Sequence, residues 1–164
     1  MRLFLALATA VVLSAAQAAA QVGIGFGDVP HDTSDPIEVT ADSLTVNRET
    51  GNAVFSGNVI IVQGELRMAA GEVTVIYDPA GDGTGVQQVI ATGGVLVTRG
   101  ADAAEGERMD YVVDTSLMTL TGSVLVTQGP TAIAGDRMVV NMATGDGTVE
   151  GRVRTVLQPS EEGQ

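Results

Sequence analysis

A stretch of nine residues recurs along this chain of 164 residues, and the recurrence restricts what the chain can fold into. The first copy, 56–64, begins with a polar residue and a Gly, continues as a run of Val and Ile, and ends at a second Gly. A β-branched run between two Gly residues is typical of a strand that ends in a turn. The copies span 56–64, 92–100, 121–129 and, less closely, 150–156.

The spacing of the copies predicts a repeated supersecondary unit. Their first Gly residues stand at positions 57, 93, 122 and 151, so the steps are 36, 29 and 29 residues. Self-similarity at such a period indicates one strand–turn–strand unit stacked on itself. Residues 78–85 hold the seven extra residues of the longer step, and we expect a longer hairpin loop there. A second set of apolar markers has steps of 29, 36 and 29: Leu44, Val73, Met109 and Met138.

Alternation within the copies predicts which side of the sheet is buried. One parity is apolar and includes the first Gly of each copy, whereas the other mixes polar residues with Ile60, Val62, Leu96 and Leu125. A Gly inside a strand marks a bend or a bulge, so four at one register predict a sheet that curves along a shared line. No helical period of useful length follows residue 20. The pattern therefore predicts an all-β fold of antiparallel hairpins.

The two ends of the folded part have their own patterns. Residues 35–40 alternate in polarity, 41–43 are expected to turn the chain, and the alternation resumes with Leu44 and Val46. At the other end we expect one long strand over 148–157, with Val149, Gly151 and Val153 on the apolar face. Both end strands are predicted to be exposed edges, which invite pairing with another chain.

The first 20 residues resemble an export signal that is removed. A charged start is followed by a short apolar run and an Ala-rich exit, and the run is too short to span about 30 Å of hydrocarbon as an anchor would. We predict a signal peptide at 1–20, a flexible lead-in at 21–34, one domain at 35–158 and a disordered tail at 159–164. The chain has no Cys, so apolar burial and strand pairing must stabilise it.

Charge and residue inventory exclude several functions. The net charge of −12, or −13 once Arg2 is removed with the signal, argues against binding nucleic acid. His31 is the single His and lies in the polar lead-in, so neither a catalytic triad nor a histidine metal site is expected. Glu105 and Glu107 are expected in a turn, exposed to solvent. Residues 81–83 and 145–147 resemble pieces of calcium-binding repeats, but they lie too far apart and favour hairpin turns.

The apolar face leaves two interpretations open. It is either the core of an ordinary sandwich or the interior of an incompletely closed sandwich that holds an apolar ligand such as acyl chains. Enzyme activity, a metal and a cofactor are not expected.

Several segments resemble the OstA-like family of periplasmic lipopolysaccharide-transport proteins. The opening of that family is matched by residues 35–42, 55–59 and 62–64, and its second half by 120–124, 135–138 and 156–160. The resemblance covers essentially the whole of 35–158. It implies a V-shaped, partly open antiparallel β-jellyroll, or sandwich, that holds the acyl chains of lipid A between its sheets.

The same resemblance implies a location and partners. The protein would stand in the periplasm and assemble head-to-tail into a bridge for lipopolysaccharide. The bridge would join an inner-membrane Lpt extractor complex, through an anchored LptC-like subunit, to an outer-membrane translocon, through an LptD-like N-terminal domain. A structural or adhesive β-repeat filament of the cell envelope is the alternative, and a secreted enzyme comes third.

The predicted lipid-binding residues all have the apolar parity. Matching to the family implies five of them, and alternation had placed the same positions on the apolar face. The first five are Ile37, Val39, Leu44, Val46 and Tyr111, and the others are Phe55, Val59, Ile61, Leu66, Met68, Val73, Val75, Val95, Val97, Met109, Leu120, Val124, Val126, Met138 and Val140.

Overall fold

The computed structural model describes residues 23–25, 35–78 and 85–157. The predicted signal peptide, most of the lead-in, six residues of the loop predicted at 78–85 and the predicted tail lie outside these residues. The described residues form eleven strands and no helix, so they contain no helix that is long and apolar enough to cross a membrane. The strands are β1 (Gly23–Gly25), β2 (Glu38–Thr40), β3 (Ser43–Val46), β4 (Ala53–Gln63), β5 (Leu66–Tyr77), β6 (Val86–Arg99), β7 (Asp102–Val112), β8 (Leu117–Gln128), β9 (Thr131–Asn141), β10 (Asp146–Glu150) and β11 (Arg154–Leu157).

All of these strands belong to one antiparallel sheet. Its order is β1-β10-β9-β8-β7-β6-β5-β4-β2, with β3 also paired to β4 and β11 also paired to β9. Strands β4 to β9 are long, and each pairs with the next one along the chain. The prediction of an all-β antiparallel fold is therefore confirmed.

A line of bulges crosses the sheet where the repeated Gly residues stand. In β4, β6 and β8 the register shifts across the first Gly of the copy and the residue that follows it. That Gly and the residue after it both have positive φ, a conformation favoured for Gly and tolerated by Asn. The predicted bend along a shared line is confirmed. The bulge line consists of Gly57 and Asn58, Gly93 and Gly94, Gly122 and Ser123, and Gly151 and Arg152.

The bulge line divides the sheet into two halves. One contains β3, β10 and the segments of the long strands that lie beside them, and we call it the β10 half. The other contains β2, β11 and the remaining segments, and we call it the β11 half. Each long strand crosses the line and therefore contributes to both.

The hydrophobic core lies between the two halves. Leu120 and Met138 in the β10 half and Val126 in the β11 half are fully buried, and one cluster joins them. A face of a single sheet is shielded from water only when another layer covers it, so the halves cover each other. The buried members are Ala53, Val59, Met68, Ala70, Val73, Val75, Ala91, Val95, Val97, Ala104, Met109, Met118, Leu120, Val124, Val126, Ile133, Met138, Val140, Met142 and Val149.

The turn predicted at 41–43 is wrong. Strands β2 and β3 both run antiparallel to β4, so the chain continues in one direction past the bulge. The backbone N–H of Asp42 donates to the carbonyl oxygen of Gly57 at 2.9 Å, and Asn58 Nδ2 donates to Asp42 Oδ2 at 2.8 Å. These bonds fill the interruption that the kink in β4 makes, and no reversal is needed.

The single long strand predicted over 148–157 is also wrong. Two strands, β10 and β11, pair end to end with β9, and Gly151–Val153 separate them. Val149 is buried as predicted, but Val153 is 41% exposed. The contacts repeat those at Asp42, since Asp136 N–H donates to the Gly151 oxygen at 3.2 Å. Both ends of the sheet are thus split at the bulge line.

The lead-in contains a strand that the sequence did not predict. β1 pairs antiparallel with β10, and Gly23, Ile24 and Gly25 lie opposite Thr148, Gly147 and Asp146. The hairpin turn expected at 145–147 lies at 142–144 instead: Gly145 N–H closes it by donating to the Asn141 oxygen at 2.8 Å, with a φ of 80°, and residues 146 and 147 already belong to β10. Its counterpart at 81–83 lies outside the described residues.

Candidate functional site

The inner face of the sheet carries apolar rows that run across the strands from one end to the other. Each row consists of residues that lie directly opposite one another on successive strands. Cross-strand neighbours on one face lie within side-chain contact, so each row is a continuous surface. In the β10 half one row is Leu44, Phe55, Val73, Ala91, Met109, Leu120, Met138 and Val149. In the β11 half another is Val39, Ile61, Met68, Val97, Ala104, Val126, Ile133 and Thr155.

The exposure of these rows changes along their length. Leu120 in β8 and Met138 in β9 are completely buried, whereas Leu44 in β3, at the edge of the sheet, is 56% exposed. Val46, which shares the inward parity of Leu44, is 57% exposed, and Ile37, which shares that of Val39, is 61% exposed. The protein's own side chains therefore fill the interior in the middle, and its apolar surface is uncovered at the β2–β3 end.

The predicted lipid-binding residues fall into three groups by burial. Four are exposed at the β2–β3 end: Ile37, Val39, Leu44 and Val46. Phe55, Ile61, Leu66 and Tyr111 are partly buried against the core. The remaining twelve are buried: Val59, Met68, Val73, Val75, Val95, Val97, Met109, Leu120, Val124, Val126, Met138 and Val140. All lie on one side of the sheet, as alternation predicts, but only the first group is open to an apolar ligand without rearrangement.

Some inner-face residues escaped the predicted set. Ala104 and Ile133 are buried in the β11 half, but they stand in Ala-rich strands in which alternation is weak. Met118 and Val149 are also buried, in the β10 half. Met118 shares the apolar parity of Leu120, and Val149 shares that of Gly147, so alternation could have placed both in the predicted lipid-binding set. Arg99 was missed because it is charged, although it follows Val95 and Val97 on the same parity. It is 8% exposed and is the only charged residue buried in the described part of the chain.

The far end of the sheet is covered on one side only. In the β10 half, the buried Val149 lies on β10, and β1 forms the next strand. In the β11 half, Thr155 and Leu157 share the inward parity, and both are exposed. Over the residues described, no strand pairs with the outer side of β11. Of the four short strands at the two ends, only β10 has a further described strand beside it, so the interior is open beside β2, β3 and β11.

The outer face of the β10 half is polar and charged. One row across it reads Ser43, Ser56, Glu72, Thr92, Arg108, Thr121, Arg137 and Glu150. Arg108 Nε lies 2.7 Å from Asp110 Oδ2, and the pKa of Arg108 is raised by this hydrogen bond and by the charge of Asp110. Arg137 Nη1 lies 3.0 Å from Glu150 Oε2. This face is suited to solvent.

The outer face of the β11 half is more apolar. Its row beside the bulge line reads Thr40, Ile60, Ala69, Leu96, Glu105, Leu125, Ala134 and Arg154. A groove of about 680 Å³ follows the bulge line here, and Ile60, Ala69 and Leu96 lie along it with Glu105 and Glu107. The two Glu residues lie inside β7 rather than in the predicted turn, although both are exposed as expected.

Within the three described ranges, no group of three or more His, Cys, Asp or Glu residues is arranged to hold a metal ion. The buried part of the molecule is almost entirely aliphatic, which gives it affinity for apolar groups rather than for reacting polar ones. The surface that stands out is therefore the inner apolar face and its uncovered ends.

A single antiparallel sheet, folded along a line of bulges around an aliphatic interior with uncovered ends, defines a partly open β-jellyroll. The chain belongs to the family described as LptA/(LptD N-terminal domain) LPS transport protein, which matches residues 38–146. The family resemblance predicted from the sequence is confirmed.

Similar proteins are consistent with this assignment. Over 54 residues the chain is 37% identical to the lipopolysaccharide export system protein LptH of Pseudomonas aeruginosa, a match that covers 33% of this chain and 31% of LptH. Over 77 residues it is 31% identical to an uncharacterized protein of Rhizobium meliloti (strain 1021), covering 44% of this chain and 41% of that protein. The matches therefore span less than half the length of these curated relatives.

A solved structure supports the fold. The crystal structure of LptH, described as the LptA homologous periplasmic component of the conserved lipopolysaccharide transport device from Pseudomonas aeruginosa, superposes with a TM-score of 0.69. The superposition covers 79% of this chain and 100% of the LptH chain, at 23% sequence identity. At that identity the likeness establishes the architecture, and the predicted β-jellyroll is confirmed.

Proposed function

We propose that this protein binds the acyl chains of lipopolysaccharide on its inner apolar face and carries the glycolipid across the periplasm, from the inner to the outer membrane, as part of a head-to-tail bridge. The observation that carries the proposal is the inner row that runs across the whole sheet and leaves Leu44 and its neighbours uncovered at one end. Membership of a family of LPS transport proteins supports it.

The charge of the chain restricts how lipopolysaccharide is held. A net charge of −12 does not favour contact with phosphate groups, so the sugars and phosphates stay in solvent and the acyl chains provide the affinity. Covering about 300 Å² of acyl surface at ~25 cal/mol per Å² provides about 7.5 kcal/mol, which corresponds to micromolar binding. Such modest affinity suits a conduit, because the cargo must also leave.

Because side chains fill the middle of the interior, the lipid can pass along the inner row only if the protein changes its conformation. An acyl chain that enters beside Leu44 meets buried side chains at Val73 and beyond. Movement along the row therefore needs the β10 half and the β11 half to separate, and the shared bulge line is where the sheet bends. The twelve buried predicted residues become lipid contacts only in that opened form.

The split ends support head-to-tail joining. Along the chain, β2 lies in the β11 half and β3 in the β10 half, while β10 and β11 follow in the opposite order. If β2 and β3 of one copy pair with β11 and β10 of another, the new pairing is antiparallel. The β10 half of one copy then continues into the β10 half of the other, and the β11 half into the β11 half. The inner rows then run on from one copy to the next.

The same edges provide contacts for the proposed partners. An LptC-like subunit of the inner-membrane extractor complex and the LptD-like N-terminal domain of the outer-membrane translocon would each add a strand to one end.

A photo-crosslinking amino acid on β3 tests lipid binding. Leu44 and Thr45 are adjacent and both exposed, but Leu44 lies on the inner face and Thr45 opposite Val54 on the outer face. We expect a benzophenone side chain at Leu44 to capture lipopolysaccharide in intact cells and the same group at Thr45 to capture at least tenfold less. Equal capture at the two positions would mean that the inner face is not the lipid-binding surface.

The filament alternative shares the exposed edges but gives no role to the uncovered inner row. Native mass spectrometry separates the two. Protein purified from a host that makes lipopolysaccharide is expected to retain glycolipid, whereas long polymers free of glycolipid would favour a filament.

A further inference from the structure

The outer edge of β10 is occupied by the protein's own first strand. β1 lies opposite Asp146, Gly147 and Thr148, three of the five residues of β10. The outer side of β11, which continues the same edge beyond the bulge line, has no strand paired to it in the described part of the chain. One sheet edge is thus capped in the β10 half and bare in the β11 half.

A second copy that joins head-to-tail needs the position that β1 holds. Continuing both halves places the β2 strand of the second copy against β11 and its β3 strand against β10. A strand edge offers its N–H and C=O groups to one neighbour at a time, so β1 and the incoming β3 exclude each other.

We propose that β1 is an internal cap of the β10 edge, and that the β3 strand of a second copy of this chain displaces it when two copies join. The proposal rests on the head-to-tail joining proposed above and adds a control step to it. With β1 in place, only the bare edge of β11 is available, so a second copy pairs first with β11 and completes the junction when β1 leaves.

The residues of the two competing strands favour displacement. β1 has three residues, and two of them are Gly, which loses the most conformational freedom on pairing and contributes no side chain. β2 and β3 together have seven residues, which include Val39, Leu44 and Val46. Joining also sets the exposed Leu44 of the second copy beside the row that ends at Val149, so it covers apolar surface of Leu44 that is exposed in the free protein.

A reversible lock tests the cap directly. The chain has no Cys, so Gly23→Cys with Thr148→Cys introduces one pair of thiols. The two residues lie opposite each other in the antiparallel register, at the Cα separation that a disulfide spans. Thr148 lies between the buried Gly147 and Val149, on the outer parity, so its substitution leaves the core intact.

We expect the oxidised variant to need at least a tenfold higher concentration than wild type for half-maximal self-association in light scattering. Reduction of the same sample should restore the wild-type curve, and each single Cys variant should match wild type throughout. Oxidised and reduced samples that associate equally would overturn the cap, as would a disulfide that forms only between chains. That second result would show that β1 pairs with another copy's β10.

A second variant is designed to have the opposite effect on self-association. Ile24→Pro removes a backbone donor from the middle of β1 and is expected to lower the concentration for half-maximal association at least threefold. An unchanged or higher value would overturn the cap. If wild type and Ile24→Pro both remain monomeric at every concentration, the head-to-tail joining itself is wrong. If both associate alike and the lock has no effect, only the cap is wrong.

Discussion

The middle of the sheet and its first end are built from the same kinds of residue but differ in what covers them. Leu120 in β8 and Leu44 in β3 lie in one inner row and are the same amino acid, yet the first is fully buried and the second is 56% exposed. Leu120 has a paired strand on each side and the other half across from it. Leu44 has a paired strand on one side only. The comparison shows that position in the sheet, and not residue type, separates a core residue from an available apolar surface.

The largest expected effect comes from the same substitution at both positions. Leu120→Ala leaves a cavity between the two halves and is expected to lower the free energy of unfolding by about 3 kcal/mol. Leu44→Ala removes the same atoms from an exposed site and should cost less than about 0.5 kcal/mol. Urea unfolding, read from the midpoint at constant m, measures both. Equal losses of unfolding free energy would mean that Leu44, at the β2–β3 end, is packed against other side chains in solution.

A smaller effect is expected at two Gly residues with left-handed φ. Gly122, on the bulge line, has a φ of 81°, and an added Cβ would lie 2.7 Å from Cβ of Glu107. Gly51, in the β3–β4 turn, has a φ of 73° and open space around it. Gly51→Ala should cost about 1 kcal/mol for the backbone conformation alone. Gly122→Ala should cost about 2 kcal/mol, because the contact adds to the strain.

Thermal or urea unfolding of these two Gly variants checks that difference. If Gly122→Ala proved no worse than Gly51→Ala, the bulge would be loose enough to admit a side chain. The shared bend would then be a weaker constraint on the middle of the sheet than its packing indicates.

The smallest effect is expected on the outer face of the middle strands. Asp110→Asn removes the charge that pairs with Arg108, and it should lower the free energy of unfolding by less than about 0.5 kcal/mol at low salt. Salt at 1 M should abolish the difference, because both side chains are accessible to ions. A loss as large as that of Leu120→Ala would show that outer charges, rather than the aliphatic interior, hold the middle together.

Much of the fold follows from local pattern. Period-2 alternation placed every predicted lipid-binding residue on one face, and the repeated Gly residues placed the bulges. The errors at 41–43 and 148–157 have a common cause. Alternation gives the face of each short strand but not its partner, and both pairs of strands continue along one neighbour rather than reversing.

Two further features had no local signal at all. β1 is Gly-Ile-Gly, which carries no alternation, and its partner β10 lies more than 120 positions away in the chain. Leu44 and Leu120 look equivalent in the sequence, because each is a Leu of the apolar parity. Their different exposure depends on how many strands flank them in the finished sheet, which only the long-range pairing decides.

Every long strand crosses the bulge line at the corresponding position. The cross-section of the molecule is therefore constant, and its length is set by the number of strands. Six long strands lie between the two split ends, so one copy extends about 34 Å from β2 and β3 to β10 and β11 at a spacing of ~4.8 Å. An added repeat of 29 residues, two strands, would lengthen the molecule by about 10 Å and leave both joining edges as they are. Under the proposed head-to-tail joining, the number of strands and copies would set the width of the aqueous gap that is spanned, while the inner rows keep one shape throughout.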